Sequence, residues 1–164
     1  MAVTEPRAVG TGPDAPPDDF EAFYRNAWPG AVKLAGLLTQ NARTAEDLAQ
    51  DAFTRVYARW SRVQHPHAYL RSAVVNACRS SFARAHTERV KLPLVDRPGT
   101  TGIAFDELAD AVAALPYRQR AVLVLRYHDD LSEAEIAEVL GCRPGTVKSL
   151  ASRALASLKK GIEE

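Results

Sequence analysis

From Asp18 to about Arg84 the apolar residues recur at three- and four-residue intervals, and no stretch alternates as a half-buried strand would. Phe20, Phe23, Tyr24, Ala27, Ala31, Leu34 and Leu38 form a first helical stripe, within which Trp28-Pro29-Gly30 predicts a kink or short break. Thr44 with Asp47 marks the cap of a second helix, whose Leu48, Ala52, Phe53, Val56 and Tyr57 face inward while its acids lie opposite. Ser61 to Pro66 reads as a loop after Trp60. Tyr69, Leu70, Ala73, Val74, Ala77 and Phe82 then mark a third long helix ending near Ala85, which completes a small bundle.

Beyond it, residues 87–105 lose the periodicity and carry Pro93, Pro98, Gly99 and Gly102, the pattern of an interdomain linker. Three further segments follow: Asp106 to Leu115, Pro116 to about His128, and the helical pair within Leu131 to Leu158. In that pair Ser132 and Glu135 form an S-x-x-E capping box, in which hydroxyl and carboxylate satisfy free N–H groups at a helix start. Ile136, Val139 and Leu140 supply the inner stripe, and Gly141 suits a left-handed stop. Pro144 fits the first position of the next helix, where its missing N–H costs little. Val147, Ala151, Ala154, Leu155 and Leu158 line one face of that helix and leave Lys148, Ser149, Ser152 and Arg153 outside. This is the division of labour of a helix-turn-helix, in which apolar residues seat the recognition helix while outer residues reach bases and phosphates. The second unit should have a core around Leu108, Val112, Leu115, Val122, Leu125, Ile136, Leu140, Val147 and Leu155. The chain is thus expected to be all-α: a tail over 1–17, a helical domain over 18–86, a flexible linker over 87–105 and a helix-turn-helix domain over 106–164. A linker of that length spans at most ~65 Å at ~3.4 Å per residue, enough for one chain to hold two separated sites on a duplex.

Charge sharpens this picture. The formal net charge of +1 argues against nucleic acid until the charges are placed along the chain. Residues 1–54 hold four Lys/Arg against eight Asp/Glu, residues 55–91 eight against one, residues 92–142 four against nine, and residues 143–164 five against two. Two basic blocks can therefore neutralise phosphates while the acidic stretches face solvent or a basic partner. The alternative, that these runs merely solvate helix faces, is weaker once they coincide with the third helix and the recognition helix.

Other chemistry is sparse. Residues 1–17, with four prolines and two glycines, read as a disordered tail without assigned function. No run approaches the ~18 apolar residues that cross a bilayer, and the N-terminus has acids and prolines instead of a signal pattern, so a cytoplasmic protein without membrane contact is expected. Cys78 and Cys142 are isolated and are expected to be buried thiols. His65-Pro66-His67 lacks an acidic or cysteine companion, so neither a metal nor another cofactor is expected. With no P-loop and no nucleophile paired to a base, the chain does not read as an enzyme.

With these residues in place, the chain resembles the bacterial RNA polymerase sigma factors of the extracytoplasmic-function (ECF) group of the sigma-70 family. Glu46-Asp47-Leu48-Ala49-Gln50-Asp51-Ala52-Phe53 is similar to that family's clamp-binding segment. Leu115-Pro116, the apolar stretch Ala121 to Leu125, Leu131-Ser132, Glu135-Ile136-Ala137 and Gly145-Thr146-Val147-Lys148-Ser149 together resemble its C-terminal signature. The resemblance implies an N-terminal domain that binds core RNA polymerase and opens the promoter −10 element, and a C-terminal domain that reads the −35 element. It assigns Asp47, Gln50 and Asp51 to the clamp of the largest catalytic subunit, with a further contact to the flap region. It assigns Asn76, Arg79, Ser80 and Arg84 to −10 DNA, and Arg120, Lys148, Ser149 and Arg153 to −35 DNA, with Arg120 at the backbone. The loop Ser61 to His67 corresponds to the segment that surrounds an unstacked promoter base, while Trp60 and Tyr69 read more readily as core or rim residues than as stacking platforms. Leu150 departs from the pattern, standing where arginine is frequent, and so removes one potential DNA contact.

The expected function is that of an alternative sigma factor, which directs core polymerase to a restricted set of promoters and helps melt the −10 region. An anti-sigma factor clamped between the domains is a partner the linker would permit. With Glu164 following soon after the last helix, no appended sensory domain is expected. Two rivals stand beside this reading: a helix-turn-helix regulator acting on an operator without polymerase, and a helical adaptor that mimics a sigma factor without promoter activity. A symmetric dimer on a palindrome would favour the first; failure to bind promoter DNA within holoenzyme would favour the second.

Overall fold

The computed structural model describes the backbone of residues 19–91 and 105–163, with side chains for 19–85 and 107–163. Among the described residues there are seven α-helices and no strand: α1 (Phe20–Thr39), α2 (Ala42–Ala58), α3 (Pro66–Lys91), α4 (Phe105–Ala114), α5 (Tyr117–Tyr127), α6 (Glu133–Leu140) and α7 (Pro144–Glu163). The all-α expectation holds. The expected tail and most of the expected linker lie outside the described residues, and the first residues assigned to that linker are the last turn of α3.

Helix α1 starts at Asp19, whose carboxylate accepts from the Glu21 N–H at 2.8 Å. It runs unbroken through Pro29, where the pattern predicts a kink or break. Pro29, Gly30 and Arg25 all face solvent, so the Arg25 carbonyl that proline deprives of a donor stays hydrated, while buried Ala27 and Ala31 hold the helix on either side. Helix α2 begins two residues before Thr44, because Asn41 is the cap and accepts from the Thr44 N–H at 3.1 Å. The segment Trp60–Arg62 is a turn of 3-10 helix inside the expected loop.

Helices α1, α2 and α3 pack on one another around Phe23, Leu34, Leu38, Phe53, Val56 and Val74. Rings of Phe20, Phe23, Tyr24, Trp28, Phe53 and Trp60 close one end, with centroids 4.7–6.5 Å apart. In the second unit α7 is the hub, touching α4, α5 and α6. Leu108 and Leu155, expected in the core, are 47% and 45% exposed. The buried stripe of α7 is Val147, Leu150, Ala151 and Ala154, and Leu155 falls beyond its edge by helical rotation.

The two units also pack on each other. Helix α5 contacts α1 and α3, α6 contacts α3, and one continuous buried core runs from Phe23 to Ala151. Tyr117 donates its hydroxyl to the Val75 carbonyl at 2.8 Å and lays its ring 5.2 Å from that of Phe82. Arg71 on α3 pairs with Asp129 after α5, Nε to Oδ2 3.1 Å.

Candidate nucleic-acid interface

The helix-turn-helix follows from its caps. Glu135 N–H donates to Ser132 Oγ at 3.2 Å, and the Glu135 carboxylate accepts from the Ser132 N–H at 2.7 Å. That bond above all holds the Glu135 carboxyl below its ordinary value. Gly141 ends α6 at φ 63°, and the Cys142 N–H reaches back to the Ala137 carbonyl at 3.0 Å. Pro144 opens α7, which buries Val147, Leu150, Ala151 and Ala154 and exposes Lys148, Ser149, Ser152 and Arg153. At ~100° per residue those four share the opposite side of the helix. Ser149 donates its hydroxyl to the Gly145 carbonyl at 3.1 Å, which leaves its oxygen as an acceptor. Leu150 is only 9% exposed, so its position beneath the helix serves packing; an arginine there would have to displace core.

A second polar face runs along α3. Asn76, Arg79, Ser80 and Arg84 fall within ~140° of the helix circumference, so all four share a side. Asn76 is half-buried, and its Oδ1 accepts from Arg79 Nη2 at 3.0 Å, which fixes the amide's orientation; Ser80 is exposed, as are Arg79 and Arg84. Ser72 and Tyr69 extend the same line one and two turns earlier. They line a surface cavity of about 690 Å³ together with Arg59, Arg62, Gln64 and His65. This is a concave, positively flanked recess with a tyrosine wall, of the kind that accepts a base out of its stack. Trp60 belongs instead to the aromatic cluster. The two histidines of the loop part company: His65 lines the cavity, and His67 sets its ring 5.1 Å from that of Phe23.

Helix α2 carries a third exposed set. Asp47, Gln50 and Asp51 lie opposite its buried Leu48, Ala49, Ala52 and Phe53. Tyr24 donates its hydroxyl to Gln50 Oε1 at 2.9 Å, and Asp51 sits 3.5 Å from Arg55. Both members of that ion pair are exposed, so it contributes little to stability and can open to a partner.

Two family models divide the chain between these units: the model described as Sigma-70 region 2 matches residues 23–88, and the one described as Sigma-70, region 4 matches residues 105–158. The chain belongs to the sigma-70 family of RNA polymerase sigma factors. It is 33% identical over 154 residues to the RNA polymerase sigma-E factor of Streptomyces avermitilis, covering 88% of this chain and 86% of that one. To the ECF RNA polymerase sigma factor SigM of Mycobacterium tuberculosis it is 30% identical over 149 residues, 86% and 76% of the two chains. Its fold matches that of the sigma factor RpoE of Bartonella quintana, solved with the anti-sigma factor NepR, at a TM-score of 0.72 and 23% identity over 90% of this chain and 98% of that one. CnrH, solved with the cytosolic domain of CnrY, matches at 0.63 and 22% identity, over 88% and 87%. The protein is thus an alternative sigma factor of the ECF group, which acts with core RNA polymerase and promoter DNA in transcription initiation.

In this sigma factor one expected DNA contact is placed elsewhere. Arg120 is 2% exposed, with its guanidinium donating to the carbonyls of Val112, Ala113, Leu115 and Leu38, so it does not face solvent in this arrangement. Arg118, two residues earlier, is exposed in the first turn of α5. A signal for the exchange exists: Arg120 lies next to the continuous buried run Ala121 to Leu125, and a residue two positions away must point to another side of the helix. Arg143, exposed in the turn before α7, is a further cation beside the recognition helix that was not singled out. Cys78 is fully buried, and burial pushes its thiol up to about 12; Cys142 is half-buried, short of the expected full burial. Among the described residues no helix is long and apolar enough to cross a membrane.

Proposed function

We propose that the three exposed faces divide the work of initiation. Asp47, Gln50 and Asp51 dock on the clamp of the largest polymerase subunit, and the C-terminal domain takes the flap region. Asn76, Arg79, Ser80 and Arg84 bind the −10 strand, with an amide for a base edge and guanidinium groups for phosphates, and the recess beside Tyr69 takes the unstacked base. Lys148, Ser149 and Arg153 enter the −35 major groove, with Arg118 toward the backbone. The polymerase- and −10-binding domain is residues 18–86 and the −35-binding domain residues 106–164, with 87–105 as the linker between them. The chain performs no chemistry of its own and works in the cytoplasm. An anti-sigma protein is a further partner, by likeness to sigma factors solved with one.

The pairing of an open recess walled by Tyr69 with the Asn76–Arg79 face on one unit, and an exposed basic recognition helix on the other, carries this assignment. Run-off transcription with core polymerase on a library of promoter fragments tests it. Protein-dependent transcripts that share a bipartite motif are expected. Core binding without any transcript would overturn the promoter assignments, and loss of both would favour an operator-binding regulator.

A further inference from the structure

One hydrogen bond on the polar face of α3 decides which way its amide points. Asn76 Oδ1 accepts from Arg79 Nη2 at 3.0 Å, about one helical turn further on. A guanidinium has donors and no acceptor, so the amide atom turned toward it has to be the oxygen, and the amide nitrogen is turned away. Among the described residues no acceptor meets Asn76 Nδ2, and that atom is not buried, so its two hydrogens face open space. Val75, Ala77 and Cys78 are buried, which fixes the backbone that carries the amide. Ser72, one turn earlier, lines the recess walled by Tyr69, and Arg79 and Arg84 beyond are exposed. Asn76 therefore sits between the recess and the guanidinium groups, where a strand bound along α3 would pass.

A freely turning amide offers a base either a donor or an acceptor, and the usual two-bond contact to adenine uses both, donating to N7 and accepting from N6. Here Oδ1 is engaged and lies beside a cation, which repels any further N–H that approaches it. What remains for a base is a pair of donors. Thymine and guanine present a keto oxygen, O4 or O6, where cytosine and adenine present an amino group. We propose that Arg79 is a positioning residue that holds Asn76 as a donor, and that the −10 base met by Asn76 is a keto base, thymine or guanine, selected against cytosine and adenine. The inference rests on the −10 assignment proposed above. The donors of Arg79 not used by Asn76 stay available to a phosphate, so one side chain couples backbone contact to base choice.

The test uses the full chain with core polymerase, in transcription from promoters substituted one base at a time through the non-template −10 strand. At one position the parent should favour thymine over cytosine and guanine over adenine by roughly tenfold. Asn76→Ala should identify that position by losing the preference there. Arg79→Gln, which offers the amide either a donor or an acceptor, should bring the preference to within about twofold, whereas Arg79→Lys, still a donor only, should keep it. Each readout is a ratio between two templates, so a smaller folded fraction of a variant does not enter it. A phosphate contact alone would lower transcription on every sequence alike. An unchanged ratio in Arg79→Gln would therefore overturn the positioning role. A preference for cytosine or adenine at the Asn76-dependent position, or the absence of any such position, would overturn the keto assignment. Failure of the parent to initiate from any promoter would count against the sigma-factor reading instead; binding of fluorescently labelled −10 single strands to the full chain with core polymerase, which needs no initiation, would still judge the same ratios.

Discussion

Arg120 and Leu38 are 82 residues apart in sequence and joined by a 2.6 Å hydrogen bond, guanidinium to carbonyl, across the seam between the two domains. A buried cation is costly unless its donors are satisfied; here four main-chain carbonyls receive it. Those acceptors lie at helix ends; the Val112 carbonyl takes a further donor, the Leu115 N–H at 3.2 Å, and truncation deprives all four of the charged one. Arg120→Ala should therefore lower unfolding free energy by about 2–4 kcal/mol, with Arg120→Lys recovering part, since three donors cannot reproduce a planar fork. Urea midpoints measure this. A midpoint equal to that of the parent would mean that the guanidinium is not the seam's anchor.

Much of the fold could be read before any coordinates. The capping box at Ser132, the left-handed Gly141, Pro144 at a helix start and most of the helical stripes of α1 to α3 are local chemistry and lie where their spacing puts them, but Tyr57, expected to face inward on α2, is 65% exposed and only sets its ring edge-on to Phe20 at the rim. What could not be read depended on tertiary context. Pro29 does not break α1 because the packing of Ala27 and Ala31 holds it and solvent serves the freed carbonyl. Leu108 and Leu155 look like core by composition but sit off the centre of their contacts, whereas Leu150, read as a missing DNA contact, is seated beneath α7. Arg120 is the largest miss: its place beside the buried run Ala121 to Leu125 marks it as inward-facing, but only the tertiary fold brings the helix-end carbonyls to its guanidinium. The exposed sets on α2, α3 and α7 were legible because helical rotation alone separates them from their buried neighbours.

The acidic face of α2 makes a sharp prediction for polymerase binding. Asp47 and Asp51 are exposed one turn apart, with Gln50 held between them by Tyr24. Asp47→Lys with Asp51→Lys reverses the charge offered to a partner without disturbing buried Leu48 or Phe53. Core affinity should fall about tenfold or more, while thermal unfolding stays within a few degrees of the parent. Titration of labelled protein into core polymerase decides it, and unchanged affinity would reject α2 as the clamp surface.

Glu135 predicts an acid-sensitive helix-turn-helix. The Ser132 N–H donates to its carboxylate, and this bond lowers its folded-state pKa below the ordinary 4.5. A group depressed on folding binds fewer protons in the folded than in the unfolded state. Its contribution is therefore complete above the unfolded value and lost as pH falls through the folded one. Melting temperature should decline as pH drops from about 6 to about 3, and Glu135→Gln should flatten that part of the decline while lowering stability at neutral pH. Parallel pH profiles for the two proteins would rule out the capping box as a source of acid sensitivity.

Arg153 separates promoter reading from polymerase binding. It is exposed on α7 on the side opposite Val147 and Ala151, so its removal leaves the buried face of the recognition helix intact. Arginine reads guanine O6 and N7 with two parallel bonds, and loss of one such contact typically costs ~1–3 kcal/mol. Arg153→Ala should then reduce transcription from a −35-dependent promoter by roughly tenfold to a hundredfold, with core affinity unchanged. The loss should be confined to one position of the −35 element, where the variant tolerates base changes that the parent rejects. A phosphate contact would instead weaken every sequence alike and reduce the salt dependence of binding. Transcription from a promoter set carrying single substitutions across the −35 element tells these apart, and activity of the variant equal to that of the parent across the whole set would remove Arg153 from the interface altogether.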